Sequence, residues 1–321
     1  MATIPQIKQQ EQTAVRKQRR PLRIVLWTAV GIVITAIIAC LGISVYVGLT
    51  LTHPEKKPIT QTPAELGLPF ADQVFTSADG STSLKGWVIE PENPKLTVIM
   101  SHGYRGNRVE KNLPFLPIAK SFHDAGYRVL LFDFRYNGES GGSMTTIGAK
   151  EKLDLLGVIG WAKQNHDEPI VLYGISMGAA TSILAAGLSP DVSAVLADSP
   201  YSDLESYLKT NLSVWSKLPE FPFTPLIMAL IPKVTELDPK EASPMAELDK
   251  IYPRPVLFVH GRNDAYIPSA ESEKMAAAHP DRFQLWVTEN QGHVQSYKHH
   301  SEEYMKRAIE FFKAFEKQPG Q

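Results

Sequence analysis

Cysteine is almost absent: Cys40 is the only one among 321 residues. No intramolecular disulfide can form, so whatever folds must be held by its core alone. A charge imbalance is missing as well. The formal net charge of −1 gives no reason to expect nucleic acid as a partner. Internal repeats and low-complexity segments are lacking, and no group of His, Cys, Asp and Glu has the spacing of metal ligands. His299 and His300, with Glu302, come nearest and read instead as the exposed side of a terminal helix. No metal and no cofactor is therefore expected. What remains, 43% hydrophobic and 21% charged residues, is the composition of an ordered globular protein.

The sharpest local absence is of charge between Ile24 and Leu51, 28 residues in a row. About 20 suffice to cross a bilayer as a helix, and a buried core helix of this length is uncommon. Lys8, Arg16, Lys17, Arg19, Arg20 and Arg23 precede the run, against Glu11 alone. The positive-inside rule then keeps residues 1–23 in the cytoplasm, makes 24–51 a signal anchor, and puts the rest outside the cell membrane. A cleavable signal peptide competes, since Ile37–Cys40 resembles a lipoprotein processing site. The apolar run continues to Leu51, beyond an ordinary signal core, which favours a retained anchor. Residues 52–69, with Pro54, Pro58, Pro63 and Pro69, read as a stalk linker.

From residue 70 to 317 short apolar runs alternate with amphipathic stretches. Strands are expected at Gly86–Ile89, Leu96–Met100, Arg128–Phe132, Ile170–Tyr173, Ala194–Ala197, Val256–Val259 and Gln284–Val287. Helices are expected at Leu113–Ala125, Ile147–Gln164, Met177–Gly187, Ala270–Ala278 and Tyr297–Phe315. This alternation predicts an α/β fold, a mostly parallel sheet flanked by helices, with ligands at the carboxyl ends of the strands. Residues 201–251 hold no clear core strand but many apolar residues broken by prolines, and read as a small helical cap. That stretch has no arginine, so the cap offers no evident basic clamp for a phosphate or carboxylate.

Gly-x-Ser-x-Gly occurs twice, around Ser176 and around Ser140. Only Ser176 follows a short β-branched run and precedes a run of helix formers, the strand–turn–helix setting that presents a nucleophile. Ser140 lies in a polar, glycine-rich loop. A serine hydroxyl needs a base, and the base needs an acid to fix its tautomer. His293, in the loop between the last expected strand and the last helix, is the candidate base; His102 and His260 end strands and read as structural. Asp264, a few residues beyond a strand, is the candidate acid, with Asp198 as its rival. Backbone amides of Met177 and Tyr104 are the expected oxyanion donors.

These features together resemble the α/β-hydrolase superfamily, particularly its bacterial membrane-anchored or exported serine hydrolases with a small cap. The resemblance spans roughly 70–315. It rests on His102-Gly103, Asp133-x-Arg135-x-x-Gly138-x-Ser140, Gly174-x-Ser176-x-Gly178, Asp198-Ser199-Pro200, His260-Gly261-x-x-Asp264 and Gly292-His293. It implies that the Asp133–Ser140 loop is a structural turn, in which Tyr136 replaces the usual small residue. The expected activity is hydrolysis of carboxylic esters, with a small-molecule ester or acyl compound as substrate. Amide, peptide or thioester cleavage on the same residues is the alternative, and a non-catalytic binding protein of the same fold is the other.

Overall fold

The computed structural model describes residues 4–110 and 113–317; the first three residues of the basic tail lie outside that range. Eight strands form one sheet: β1 (Phe70–Thr76), β2 (Ser83–Ile89), β3 (Leu96–Ser101), β4 (Tyr127–Phe132), β5 (Ile170–Ile175), β6 (Val192–Asp198), β7 (Val256–Gly261) and β8 (Phe283–Thr288). Their order is β1-β2-β4-β3-β5-β6-β7-β8. The pairs β1/β2 and β2/β4 are antiparallel and every other pair is parallel. The central strands β3, β4, β5 and β7 are buried along their whole length. Continuous apolar runs such as Val171-Leu172-Tyr173 are what a sheet covered on both faces requires.

Ten helices accompany the sheet among the described residues: α1 (Ile4–Thr52), α2 (Phe115–Asp124), α3 (Glu151–Asn165), α4 (Met177–Leu188), α5 (Leu204–Ser216), α6 (Glu220–Val234), α7 (Leu248–Ile251), α8 (Ala270–Ala276), α9 (Ser296–His299) and α10 (Ser301–Lys313). Two apolar clusters fill the two faces of the sheet. One packs α2 and α10 on Val98, Met100, Val129 and Tyr173. The other packs α3, α4 and α8 on Ile99, Leu130, Leu172 and Phe258. This is the α/β-hydrolase fold. A third cluster joins α5 and α6 to α4 and to the end of α1, and these two helices form a cap above the carboxyl ends of the strands; Leu248 and Ile251 of α7 pack instead in the second sheet cluster.

Three features differ from the sequence expectation. β1 is an additional edge strand, in which Ala71, Asp72 and Val74 face solvent while Phe75 is buried. α1 does not begin at the apolar run but extends back through the basic tail; its segment Arg23–Thr52 is long and apolar enough to cross a membrane. The stretch 52–69, expected as a stalk, is laid along the domain. Lys56 Nζ donates to the carbonyl of Ser140 (2.8 Å), and Asn107 Nδ2 donates to the carbonyls of Lys57 (3.1 Å) and Pro58 (3.2 Å). Tyr136 has a part in this. It takes the left-handed conformation (φ 59°) and presents its ring to the edge of His53, 5.6 Å away, and to the Lys56 ammonium, 5.2 Å away. The large side chain where a small one is usual thus seats the segment that follows α1.

Candidate active site

β5 delivers Ser176 into a left-handed turn (φ 51°, ψ −120°) from which α4 starts at the next residue. A non-glycine residue held there stores roughly 1–3 kcal/mol of strain. The turn is tight enough to require both flanking glycines. A Cβ on Gly174 would lie 2.4 Å from the carbonyl oxygen of Gly178, and one on Gly178 would lie 2.1 Å from that of Ser101. The Ser176 amide is tied to the carbonyl of Asp198 on β6 (2.7 Å), which fixes the turn against the neighbouring strand.

His293 reaches Ser176 from the loop after β8. Its Nδ1–H donates to Asp264 Oδ2 (2.6 Å), which leaves Nε2 unprotonated and facing the Ser176 hydroxyl at 2.9 Å. Asp264 is held in turn, because its Oδ1 accepts the amides of Tyr266 (2.8 Å) and Ile267 (2.9 Å). Burial alone would push this carboxyl up. The hydrogen bonds from His260, His293 and the Ile267 amide outweigh it and hold Asp264 well below the usual carboxylate range. At neutral pH the acid is therefore ionised.

The other sequence candidates sort by their partners. Ser140 Oγ donates to the Asp133 carbonyl (2.6 Å) and accepts the Lys85 amide (2.9 Å), so its hydroxyl joins the loop to β2 and faces no base. Asp198 is fully buried and accepts from Ser199 Oγ (2.9 Å) and from the Tyr304 hydroxyl (2.9 Å), which is itself 3.0 Å from that of Tyr173. Burial pushes the Asp198 carboxyl up to about 6 against those hydrogen bonds. His102 donates from Nδ1 to the Gly103 carbonyl (2.8 Å) and accepts the Phe134 amide at Nε2 (3.0 Å). Buried and bonded at both nitrogens, it has a structural place. His260 donates from Nε2 to the Ile267 carbonyl (2.9 Å), meets Ser272 Oγ at Nδ1 (2.7 Å), and lies 3.3 Å from Asp264 Oδ2. It braces the Asp264 loop.

Met177 and Gly178 head α4, where helix geometry leaves the amides without an intrahelical acceptor. The loop after β3 passes against the same spot: a Cβ on Gly103 would sit 3.5 Å from Ser176 Cβ, and Tyr104 follows it.

Two cavities meet at Ser176. The larger, about 1060 Å³, is lined by His293, Tyr104, Trp215 and Tyr266, and by Lys57, Arg105 and Lys298 together with Glu110. The smaller holds only about 30 Å³ and is walled by apolar groups, among them Leu51, Met177, Leu204, Leu208 and Ile267. Trp215 of the cap lies between them. Its indole donates to the Tyr207 hydroxyl (2.6 Å), which donates to the Tyr266 carbonyl (2.9 Å). Leu51, Lys57, Trp215 and Tyr266 have no motif to announce them. The one sequence signal is the density of aromatic residues in the cap.

The fold, the turn at Ser176 and its neighbours define a hydrolase of the α/β-hydrolase type. Residues 79–302 match the model of the family described as X-Pro dipeptidyl-peptidase (S15 family), and the chain belongs to that family. It is similar to uncharacterized protein YqkD of Bacillus subtilis, 34% identical over 242 residues that cover 74% of this chain and 77% of that one. Among solved structures it is similar to the Pyrococcus furiosus esterase Pf2001, with a TM-score of 0.69 and 29% identity over 83% of this chain and 98% of the other. Est1E of Butyrivibrio proteoclasticus shares the fold at 21% identity and a TM-score of 0.61, over 76% of this chain and 99% of that one.

Proposed function

We propose that the protein is a serine hydrolase of carboxylic esters, anchored in the cell membrane by α1 with its N-terminus in the cytoplasm and its catalytic domain outside. The observation that carries the reading is the continuous relay from Ser176 Oγ through His293 to Asp264, at 2.9 and 2.6 Å. His293 Nε2 takes the serine proton as Oγ attacks the ester carbonyl. Asp264, ionised and immobile, holds the imidazole in the tautomer that can accept it and stabilises the imidazolium that forms. The amides of Met177 and Tyr104 donate to the developing oxyanion. The proton then passes to the alcohol oxygen, the C–O bond breaks, and the alcohol leaves. Water, deprotonated by His293, releases the acid and restores Ser176.

The two cavities support an ester with unequal halves. The apolar one suits the acyl group, and the wide polar one suits the alcohol. Lys57, Arg105 and Lys298 come from outside the cap and outnumber Glu110 on that side, which favours alcohols that carry negative charge. The similarity to an esterase supports the choice of ester, while the family description keeps a peptidase in view.

A fluorophosphonate probe applied to the purified full-length protein, with the adduct mapped by mass spectrometry, tests the nucleophile; label on any residue but Ser176 overturns it. A p-nitrophenyl ester series run beside X-Pro and other aminoacyl p-nitroanilides tests the substrate. Faster turnover of any amide than of every ester would replace the esterase with a peptidase. Protease added to intact cells should remove the domain and spare the N-terminal tail, and protection of the domain would refute the orientation.

A further inference from the structure

α1 is longer than a bilayer needs. Its 28 uncharged residues extend about 42 Å at the helical rise of about 1.5 Å per residue, against a hydrocarbon core of about 30 Å. The surplus is at the domain end, and it is buried in protein. Ser44, Leu51 and Thr52 are inaccessible or nearly so. Gly48 lies against cap helix α6 so closely that a Cβ there would meet Ile231 Cγ1 at 2.9 Å.

The last turn is also tied down. The Leu51 carbonyl accepts the Tyr104 hydroxyl at 2.6 Å, and the Thr52 carbonyl accepts the Thr145 amide at 2.9 Å. Both are carbonyls at a helix end, which need donor partners outside the helix. Seated in this way, the Leu51 side chain projects into the apolar pocket beside Ser176. The pocket, about 30 Å³, is far smaller than the wide cavity of about 1060 Å³ on the other side of Ser176.

We propose that Leu51, at the outer end of α1, is the stop of the acyl pocket and sets the substrate class: short acyl groups on a bulky alcohol. The membrane helix is then a specificity element as well as an anchor. This rests on the esterase reading above, with the acyl group on the apolar side. Leu51 is a positioning and specificity residue with no part in the chemical steps. Two substitutions should relieve the stop by different routes. Leu51→Ala shortens the side chain itself. Gly48→Leu adds a side chain whose Cβ would already meet Ile231 Cγ1 at 2.9 Å, and its bulk is expected to push the end of α1 away from the cap.

The test uses the full-length protein in phosphatidylcholine vesicles and p-nitrophenyl esters from acetate to octanoate, with rates expressed per fluorophosphonate-titrated site so that misfolded molecules do not count. The wild type should turn over octanoate at less than a tenth of the acetate kcat/KM. Both variants should raise the octanoate-to-acetate ratio at least tenfold. A wild type that prefers octanoate, or two variants that leave the ratio where it was, would overturn the proposal while the esterase reading stands. Absence of any ester turnover by a wild type that still takes the label at Ser176 would remove the esterase reading, and this inference with it.

Discussion

Ser176 and Ser140 sit in the same five-residue motif, both in turns, both nearly inaccessible at 8% and 2% exposure. Their hydroxyls differ in one respect. Ser140 Oγ donates to one backbone group and accepts from another, and is used up in joining a loop to a strand. Ser176 Oγ faces a single partner, His293 Nε2, which can remove its proton. What distinguishes the two is therefore the chemistry of the group opposite, since glycine spacing only creates the turn. Backbone partners make a serine structural; an unprotonated imidazole makes it a nucleophile.

The strongest way to break this comparison is Ser176→Ala. It should abolish fluorophosphonate labelling and lower ester turnover by about four orders of magnitude or more, with residual activity measured at high enzyme concentration. Retention of labelling would show that the wrong serine has been chosen. Asp264→Asn comes next. An amide in place of the carboxylate favours the wrong imidazole tautomer, and kcat should fall by about 10³- to 10⁴-fold while the protein stays folded by circular dichroism. Asp198→Asn should cost less than tenfold under the same assay; the reverse ranking would transfer the acid's role to Asp198.

Ser140→Ala sharpens the contrast from the other side. It leaves the part-buried Lys85 amide without its acceptor, which should destabilise the domain by about 0.5–1.5 kcal/mol. Labelling at Ser176 should survive, and thermal melts read the loss. An effect on stability alone, with no change in the site, belongs to Asp198 and pH. Its carboxyl is pushed up to about 6 in the folded protein, above its value in an unfolded chain. The stability it contributes is therefore fully present below the unfolded value of about 3.9 and is lost as pH rises through about 6, on the order of 3 kcal/mol in all. Asp198→Asn cannot ionise. Melts from pH 4.5 to 7.5 should show the wild type losing ground to the variant as pH rises, and parallel curves would contradict that account.

The interior of the sheet is legible in the sequence because full burial demands runs like Leu96-Thr97-Val98-Ile99-Met100 that have no other use. Edge strand β1 is harder to read. Asp72, Gln73 and Thr76 interrupt its apolar residues, and the nearby prolines suggest a linker. Ser176, Asp264 and His293 could each be placed by the turn or loop that follows a strand, so their convergence follows from topology. The residues that shape the two cavities could not be found in this way. Leu51 and Trp215 are far from Ser176 in sequence and come to it only through the packing of α1 and the cap, which no local pattern encodes. The basic side of the wide cavity was missed for a related reason: Lys57, Arg105 and Lys298 come from three separate segments, none of them in the cap.

The seating of α1 has a mechanical consequence. A catalytic domain on a flexible stalk sweeps a hemisphere whose radius is the length of its tether. Here the stretch 52–69 is bonded to the domain at Ser140 and Asn107, and the helix before it is wedged under the cap. Embedded as proposed, the domain has no such radius: it can spin about α1 and drift with it in the plane, but its mouth stays at one height and one tilt. Its substrates would have to be presented at that level, on molecules rooted in the same surface or long enough to reach down to it.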